Sequence, residues 1–342
     1  LRFQTVGPQH ITLATSYHNL GLLHLKRKHF EDAIKSYKLA VNIRQTNHDD
    51  NDNNMADSLH QLAYCYELKR DFRQAIYNYQ YCFRIRRKLE ERQSGKLIPL
   101  YETLGKLYFE IKEYKKSIDC YHNAADWYFN LENFEKSIEY NKKALDIGKQ
   151  KFGRNNLNVA ITCYNLGFSY NRKGDHRKAV HWFSESLNIR LGLLDPYDLR
   201  MADTYKMVAE SYYCNNELSN AIDAFEKAID IFLKQPARAK FNELTYCYDK
   251  LSAIYMENSQ PTQAIDTATK LLQNYINLGI CAITKHQLTY ALKKLDKGLD
   301  IYNKILPPFD TAFIFVYEQF AILYQKQKKW DLASQYRHKA AE

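Results

Sequence analysis

The stretch Tyr17–Ala40, YHNLGLLHLKRKHFEDAIKSYKLA, decides the fold. Gly21 is a small residue set among apolar ones. Phe30 follows it at nine positions, Ala33 at twelve and Ala40 at nineteen. Tyr17, Leu20, Gly21 and His24 recur at the three-and-four spacing of a helix face. The run Lys26-Arg27-Lys28-His29 between the two apolar patterns is polar and short. Two helices joined by such a turn form an antiparallel hairpin. Small side chains where they cross let the backbones approach, and the aromatic at nine is placed to pack over the turn.

The offsets recur along the chain. Ala63 is followed by Phe72, Ala75 and Cys82; Gly105 by Tyr114, Ser117 and Ala124; Gly167 by Ala179 and Ser186. Ala209 is followed by Leu218, Ala221 and Ala228; Gly279 by Leu288, Ala291 and Gly298; Ala321 by Trp330, Ala333 and Ala340. A lone hairpin cannot bury both of its faces, so its neighbours must stack on it. Within the groups 21–63–105, 167–209 and 279–321 the anchors stand 42 residues apart.

Two joints break the period. Ala125, with Phe134, Ser137 and Ala144 after it, lies only 20 residues beyond Gly105. The segment Tyr114–Asn130 then serves as the second helix of one hairpin and the first of the next. Near Ala253, Ala264 arrives one residue early and Gly279 follows after 26. The expectation is an all-α, right-handed superhelical solenoid: one continuous array over residues 1–342 of about eight to nine hairpins, with altered curvature near 114–130 and 253–279.

Composition supports stacked helices. Gly (11) and Pro (7) are scarce while Tyr (28) is abundant, which suits helices better than tight-turned sheets. The net charge of +10 leaves acidic and basic residues interspersed and favours acidic partners in general. Seven cysteines, an odd number with no CxxC pair, read as reduced core residues of a cytoplasmic protein. No apolar run reaches the roughly 18 residues of a membrane helix, so no membrane insertion is expected. The chain begins without Met and ends inside a helical pattern, as a piece of a longer protein would.

These offsets resemble the tetratricopeptide-repeat pattern over nearly the whole chain. Gly148–Ala160 running into Tyr164-Asn165-Leu166-Gly167 is similar to the linker and first helix of kinesin-light-chain repeats. Gly7-Pro8-Gln9-His10 with Asn19-Leu20-Gly21 is a second copy. Asn42-Ile43-Arg44 and Asn188-Ile189-Arg190 resemble the end of the second helix there. The linkers Asn47–Asn54 and Glu90–Leu97 depart from that family's pattern. The 42-residue repeat occurs in many proteins unrelated to kinesin, so the resemblance extends to the repeat type more than to the motor role.

The resemblance implies that the first helices line a concave face binding extended or helical peptides. The Asn two before each anchor would face inward, giving Asn19, Gln61 and Asn165. Positions three before and one or four after give His18, Leu22, Tyr64, Lys106, Tyr164, Phe168, Lys206 and Tyr213. Amides there can meet a peptide backbone as donor and acceptor. A clamp for acidic chaperone tails needs Lys and Asn flanking one anchor, and the pairs His18/Leu22, His60/Tyr64, Glu102/Lys106 and Tyr164/Phe168 do not supply it.

No phosphate loop, dinucleotide fingerprint, zinc-protease or serine-nucleophile motif occurs, so neither catalysis nor a cofactor is expected. His18 and His24 are six apart, a poor spacing for a helical metal pair, and no metal site is expected. Basic clusters at Arg84–Lys88 and Lys112–Lys116 are irregularly spaced, unlike the periodic aromatic and Arg faces of RNA-binding repeats. The leading expectation is a non-catalytic protein- or peptide-binding scaffold or adaptor, possible in a cargo-adaptor form. A regulatory array attached to an enzyme, and a nucleic-acid-binding repeat, are the alternatives.

Overall fold

The computed structural model describes residues 10–47, 53–89, 97–235, 241–260, 262–264, 266–271, 274–275, 288–305 and 312–341. The chain divides into two compact units, Leu1–Lys173 and Gly174–Glu342. The first holds α1 (Ile11–Lys26), α2 (Phe30–Thr46), α3 (Asn53–Leu68), α4 (Phe72–Leu89), α5 (Ile98–Glu110), α6 (Tyr114–Asn130), α7 (Phe134–Phe152) and α8 (Leu157–Lys173). The second holds α9 (His176–Leu191), α10 (Leu199–Cys214), α11 (Leu218–Lys234), α12 (Phe241–Glu257), α13 (Leu288–Ile305), α14 (Ala312–Lys326) and α15 (Trp330–Ala341). Among the described residues there is no strand. Within each unit helices pack in hairpins, as α1 does on α2, α3 on α4, α10 on α11 and α14 on α15.

The turns are built alike. The residue seven after each anchor is left-handed: Lys28, Arg70, Lys112, Glu132, Asn216, Ser259 and Lys328 have φ between 57° and 63°, and Gly174 has φ 90°. In the first turn His29 N–H donates to the His24 carbonyl and Lys28 N–H to the Leu25 carbonyl, both at 2.9 Å. This motif closes the end of one helix and aims the chain back along it.

Small residues sit at the crossings. Ala33, Ala40, Ala63, Ala75, Ala179, Ala209, Ala221, Ala228 and Ala291 are wholly buried, Ala321 and Ala333 nearly so. Gly21, Gly105 and Gly167 are buried too. Gly279 lies outside the described residues. An aromatic 16 after the anchor fills four of these crossings: Tyr37, Tyr79, Tyr121 and Phe225. A Cβ on Gly21 would sit 2.9 Å from the Tyr37 ring, and one on Gly105 3.0 Å from Tyr121. The aromatic at nine opens the second helix and packs back across the turn. Tyr114 packs edge-on to Phe109 and Phe134 to Phe129, each at 5.5 Å. Trp330 at the same place is 62% exposed, so it closes nothing.

Of the two irregular joints, the first has α6 packed on both α5 and α7, so one helix serves two hairpins. The second is corrected in register. Its anchor is Ser252, not Ala253: Ser259 carries the left-handed turn seven residues on, and Ser252 Oγ donates to the Ala264 carbonyl at 3.1 Å, twelve residues on. Ser117 Oγ ties the Gly105 carbonyl over the same twelve-residue separation at 2.7 Å. Ala264 is therefore on time, and the anchor is 43 residues after Ala209. The remainder of this joint, residues 276–287, lies outside the described residues.

Candidate functional site

The first helices α1, α6 and α10 have three kinds of surface. One side meets its own second helix, one meets the next repeat, and one meets solvent. The candidate positions divide among them. His18, three before its anchor, is half-buried: its Nδ1 lies 2.8 Å from Ser58 Oγ on α3, and its ring stands edge-on to Tyr37 at 5.4 Å. His122, at the equivalent place on α6, holds Thr162 Oγ1 of α8 through Nε2 at 2.9 Å. Burial drives both imidazoles toward the neutral form, with His122 lowered to about 4. His60 packs edge-on to Tyr79 at 5.3 Å and is lowered by burial and then by Arg86. His18 is thus engaged between repeats and is not a solvent-facing contact.

Lys206 is likewise engaged. Its ammonium pairs with Glu243 of α12 and lies 5.8 Å from the Tyr246 ring. Burial alone would lower it, but the Glu243 carboxylate outweighs that and its pKa rises. Glu210 beside it is pushed up by burial despite Lys206. Tyr213 donates to Glu257 Oε1 at 2.8 Å. Tyr164 and Phe168 stack on each other with centroids 6.5 Å apart, and Phe168 meets Phe129 at 5.2 Å. Both remain partly exposed, as do Gln61 and Asn165.

Four candidates reach solvent in the first unit. Asn19 and Lys106 are exposed, Leu22 is 37% exposed and Tyr64 41%. Leu22, Tyr64 and Lys106 each follow their anchor by one residue, so they repeat on one face of α1, α3 and α5. Leu68, one turn beyond Tyr64, is exposed as well. The buried anchors Gly21, Ala63 and Gly105 beside them fix the helices that present this face.

The joints carry a feature that the motif Asn-Ile-Arg only hinted at. Arg44 is 4% exposed; it donates to the Asn54 carbonyl at 2.7 Å and to Ser58 Oγ. Arg190 is 7% exposed; it donates to the Arg200 carbonyl at 2.6 Å and to Thr204 Oγ1. Each arginine ends a second helix and fastens the first turns of the next. The cysteines are structural: Cys65, Cys82, Cys120, Cys163 and Cys247 are buried, and burial raises Cys65 to about 11 and Cys120 to about 12. Cys214 is exposed, and Cys281 lies outside the described residues. No described helix is long and apolar enough to cross a membrane.

A family model described as tetratricopeptide repeat matches residues 12–88, 120–191 and 159–234. The chain belongs to the tetratricopeptide-repeat family. Tetratricopeptide-repeat arrays are protein-interaction scaffolds, typically without catalysis of their own. No curated protein sequence matches the chain. Among solved structures, aspartyl phosphate phosphatase F of Bacillus subtilis aligns over 97% of this chain and 93% of its own, at 13% identity and a TM-score of 0.50. BtubC of P. vanneervenii aligns over 72% of this chain and 90% of its own, at 18% identity and a TM-score of 0.42. A Podosopora anserina protein described as a kinesin light chain with nearly identical repeats covers 66% of this chain and 97% of its own, at 15% identity and a TM-score of 0.29. At these identities the likeness concerns the tetratricopeptide fold alone.

Proposed function

We propose that the chain is a protein-interaction scaffold whose first unit holds an extended or helical segment of another protein on the face carrying Asn19, Leu22, Tyr64 and Lys106. The observation that carries this reading is the exposure of three equivalent positions in succession, one aliphatic, one aromatic and one cationic, each beside a buried anchor. Apolar and aromatic anchors with polar neighbours suit protein recognition. Asn19 supplies an amide able to meet a peptide backbone with both donor and acceptor. Lys106 and the positive net charge favour an acidic residue at that end of the ligand.

The test is a proteome-derived peptide display against the chain and a Tyr64→Ser/Lys106→Glu variant. The reading expects peptides retained by the wild type and lost by the variant, with a shared apolar–acidic pattern. Retention that ignores both substitutions would sink it. That result would favour a second surface of the first unit, where α2, α3 and α4 enclose a cleft of about 300 Å³ lined by Lys38, Gln45, Tyr66 and Tyr77. A regulatory array that acts on an attached enzyme is the reading left if no peptide is retained at all.

A further inference from the structure

The turn between α1 and α2 differs from its counterparts. Three residues after the anchor, the other described hairpins carry tyrosine: Tyr66, Tyr108, Tyr128, Tyr170, Tyr212, Tyr255 and Tyr324. The first carries His24. Eight after the anchor, where the second helix is capped, the first hairpin has His29 while others have Asp71, Asn133 or Asp175. Those three side chains accept from the N–H three residues on, whereas the His29 ring, like Glu113 and Glu217 at the same position, makes no capping bond. Asp32 lies one turn further along α2. The left-handed Lys28 folds these three side chains together, with ring centroids of His24 and His29 6.2 Å apart. One ligand atom from each of His24, His29 and Asp32 lies within 4.8 Å of the other two.

We propose that this turn is a metal site in which His24, His29 and Asp32 bind a single first-row transition dication of the Zn²⁺ type, with water completing the shell. Two imidazoles and a carboxylate are the donor set that borderline metals select over Mg²⁺ or Ca²⁺. Adjacent ligand atoms on a tetrahedral zinc stand about 3.3 Å apart, so the three groups must close inward somewhat. They can, because His29 and Asp32 are exposed and His24 is half-exposed. Asp32 must give up its 3.7 Å ion pair with Lys35, which is exposed and weak. Lys28 and Lys35 add nearby positive charge, which sets the site at modest affinity. Binding would join the last turn of α1 to the first turn of α2 and so stiffen the outer hairpin of the first unit.

Titration calorimetry of the full chain with ZnCl₂ tests this, paired with His24→Tyr and His29→Asn. The first restores the residue that other hairpins carry, and the second supplies a cap like Asn133, so both are expected to fold by circular dichroism. The wild type should bind a single equivalent, and its Tm should rise with Zn²⁺. Each variant should lose more than about tenfold in affinity, the least that losing even an outer-shell partner costs, along with the Tm response. Absence of saturable binding by the wild type would overturn the proposal. So would variants that both bind as tightly as the wild type, which would place the metal elsewhere, at Cys214 for example. Were His24→Tyr to misfold, His29→Asn alone decides.

Discussion

The joint between α2 and α3 and the joint between α4 and α5 stand one repeat apart in sequence and are held by different chemistry. Each has an arginine 23 residues after its anchor, Arg44 in one and Arg86 in the other. Arg44 crosses into the next repeat, where Ser58 and the Asn54 carbonyl receive it. Arg86 turns back to its own hairpin and meets Asp57 Oδ1 at 2.9 Å. The deciding position is five before the next anchor. It is Ser58 at the first joint and Thr204 at the joint Arg190 fastens, but Leu100 at the second. Leu100 is 1% exposed, and that joint closes with Ile85, Leu97 and the edge-on pair Phe83–Tyr101 at 5.0 Å. One hydroxyl thus decides whether a repeat is fastened by polar bonds or by apolar packing, although the arginine is present in both.

The largest effect should come from breaking this difference directly. Arg44→Met or Arg190→Met removes two hydrogen bonds from a nearly buried guanidinium, although Ser58 keeps His18 and Thr204 keeps the Arg200 carbonyl, at a cost of roughly 2–3 kcal/mol. Arg86→Met removes a partly exposed pair and should cost under about 1 kcal/mol. Urea unfolding of the three variants measures the gap. Equal costs would mean that the arginine acts through packing alone at every joint.

Overpacking a crossing should come next. Gly21→Leu drives a side chain into the Tyr37 ring, and Ala221→Leu fills a wholly buried crossing, at about 1–3 kcal/mol each. Thermal melting unchanged in both would show that these residues do not mark crossings.

The joints also differ in how they respond to acid. His122, lowered to about 4, is neutral in the folded chain at pH 5, while an unfolded histidine near 6.5 is mostly protonated there. The unfolded state therefore binds more protons between about pH 4 and 6.5. Stability from this site is complete above 6.5 and is lost as pH falls toward 4. His122→Gln keeps an Nε2 donor for Thr162 without titrating. It should reduce the loss of stability between pH 7 and pH 5 by on the order of 1–2 kcal/mol. Parallel pH profiles for variant and wild type would refute a neutral buried imidazole.

Much of the hairpin order was legible because small residues at fixed offsets are a strong signal, and α6 serving two hairpins followed from the 20-residue step alone. The register at Ser252 was not, because Ser and Ala are equally small and only the left-handed turn at Ser259 separates them. The aromatic at 16 is not legible from the small residues, which mark the space at a crossing and not what fills it. The face was legible only in part. Spacing shows which residues leave a helix together, not which flank the next repeat will cover, so His18 and Lys206 appeared equivalent to Asn19 and Tyr64. His24 and His29 stand five residues apart on different helices, so spacing along one helix does not pair them; they meet across a turn.

The smallest prediction sets two equivalent tyrosines against each other. Tyr37 and Tyr79 both lie 16 after their anchors and both fill a crossing. The Tyr79 hydroxyl donates to Glu67 Oε2 at 3.0 Å, while the Tyr37 hydroxyl is buried with no hydrogen-bond partner among the described residues. Phe183 and Phe225, at the same place in the second unit, carry no hydroxyl to satisfy. A buried polar group without a partner costs more than the apolar ring alone. Tyr37→Phe should therefore stabilise the chain by up to about 1 kcal/mol, and Tyr79→Phe should destabilise it by about the same amount. Paired denaturant melts read the sign of each change. A loss of stability in Tyr37→Phe as large as in Tyr79→Phe would mean that the first hydroxyl does have a partner, a trapped water being the simplest. The first and second hairpins would then be alike at this position, and the difference between them would lie in the turn and in the joints that follow.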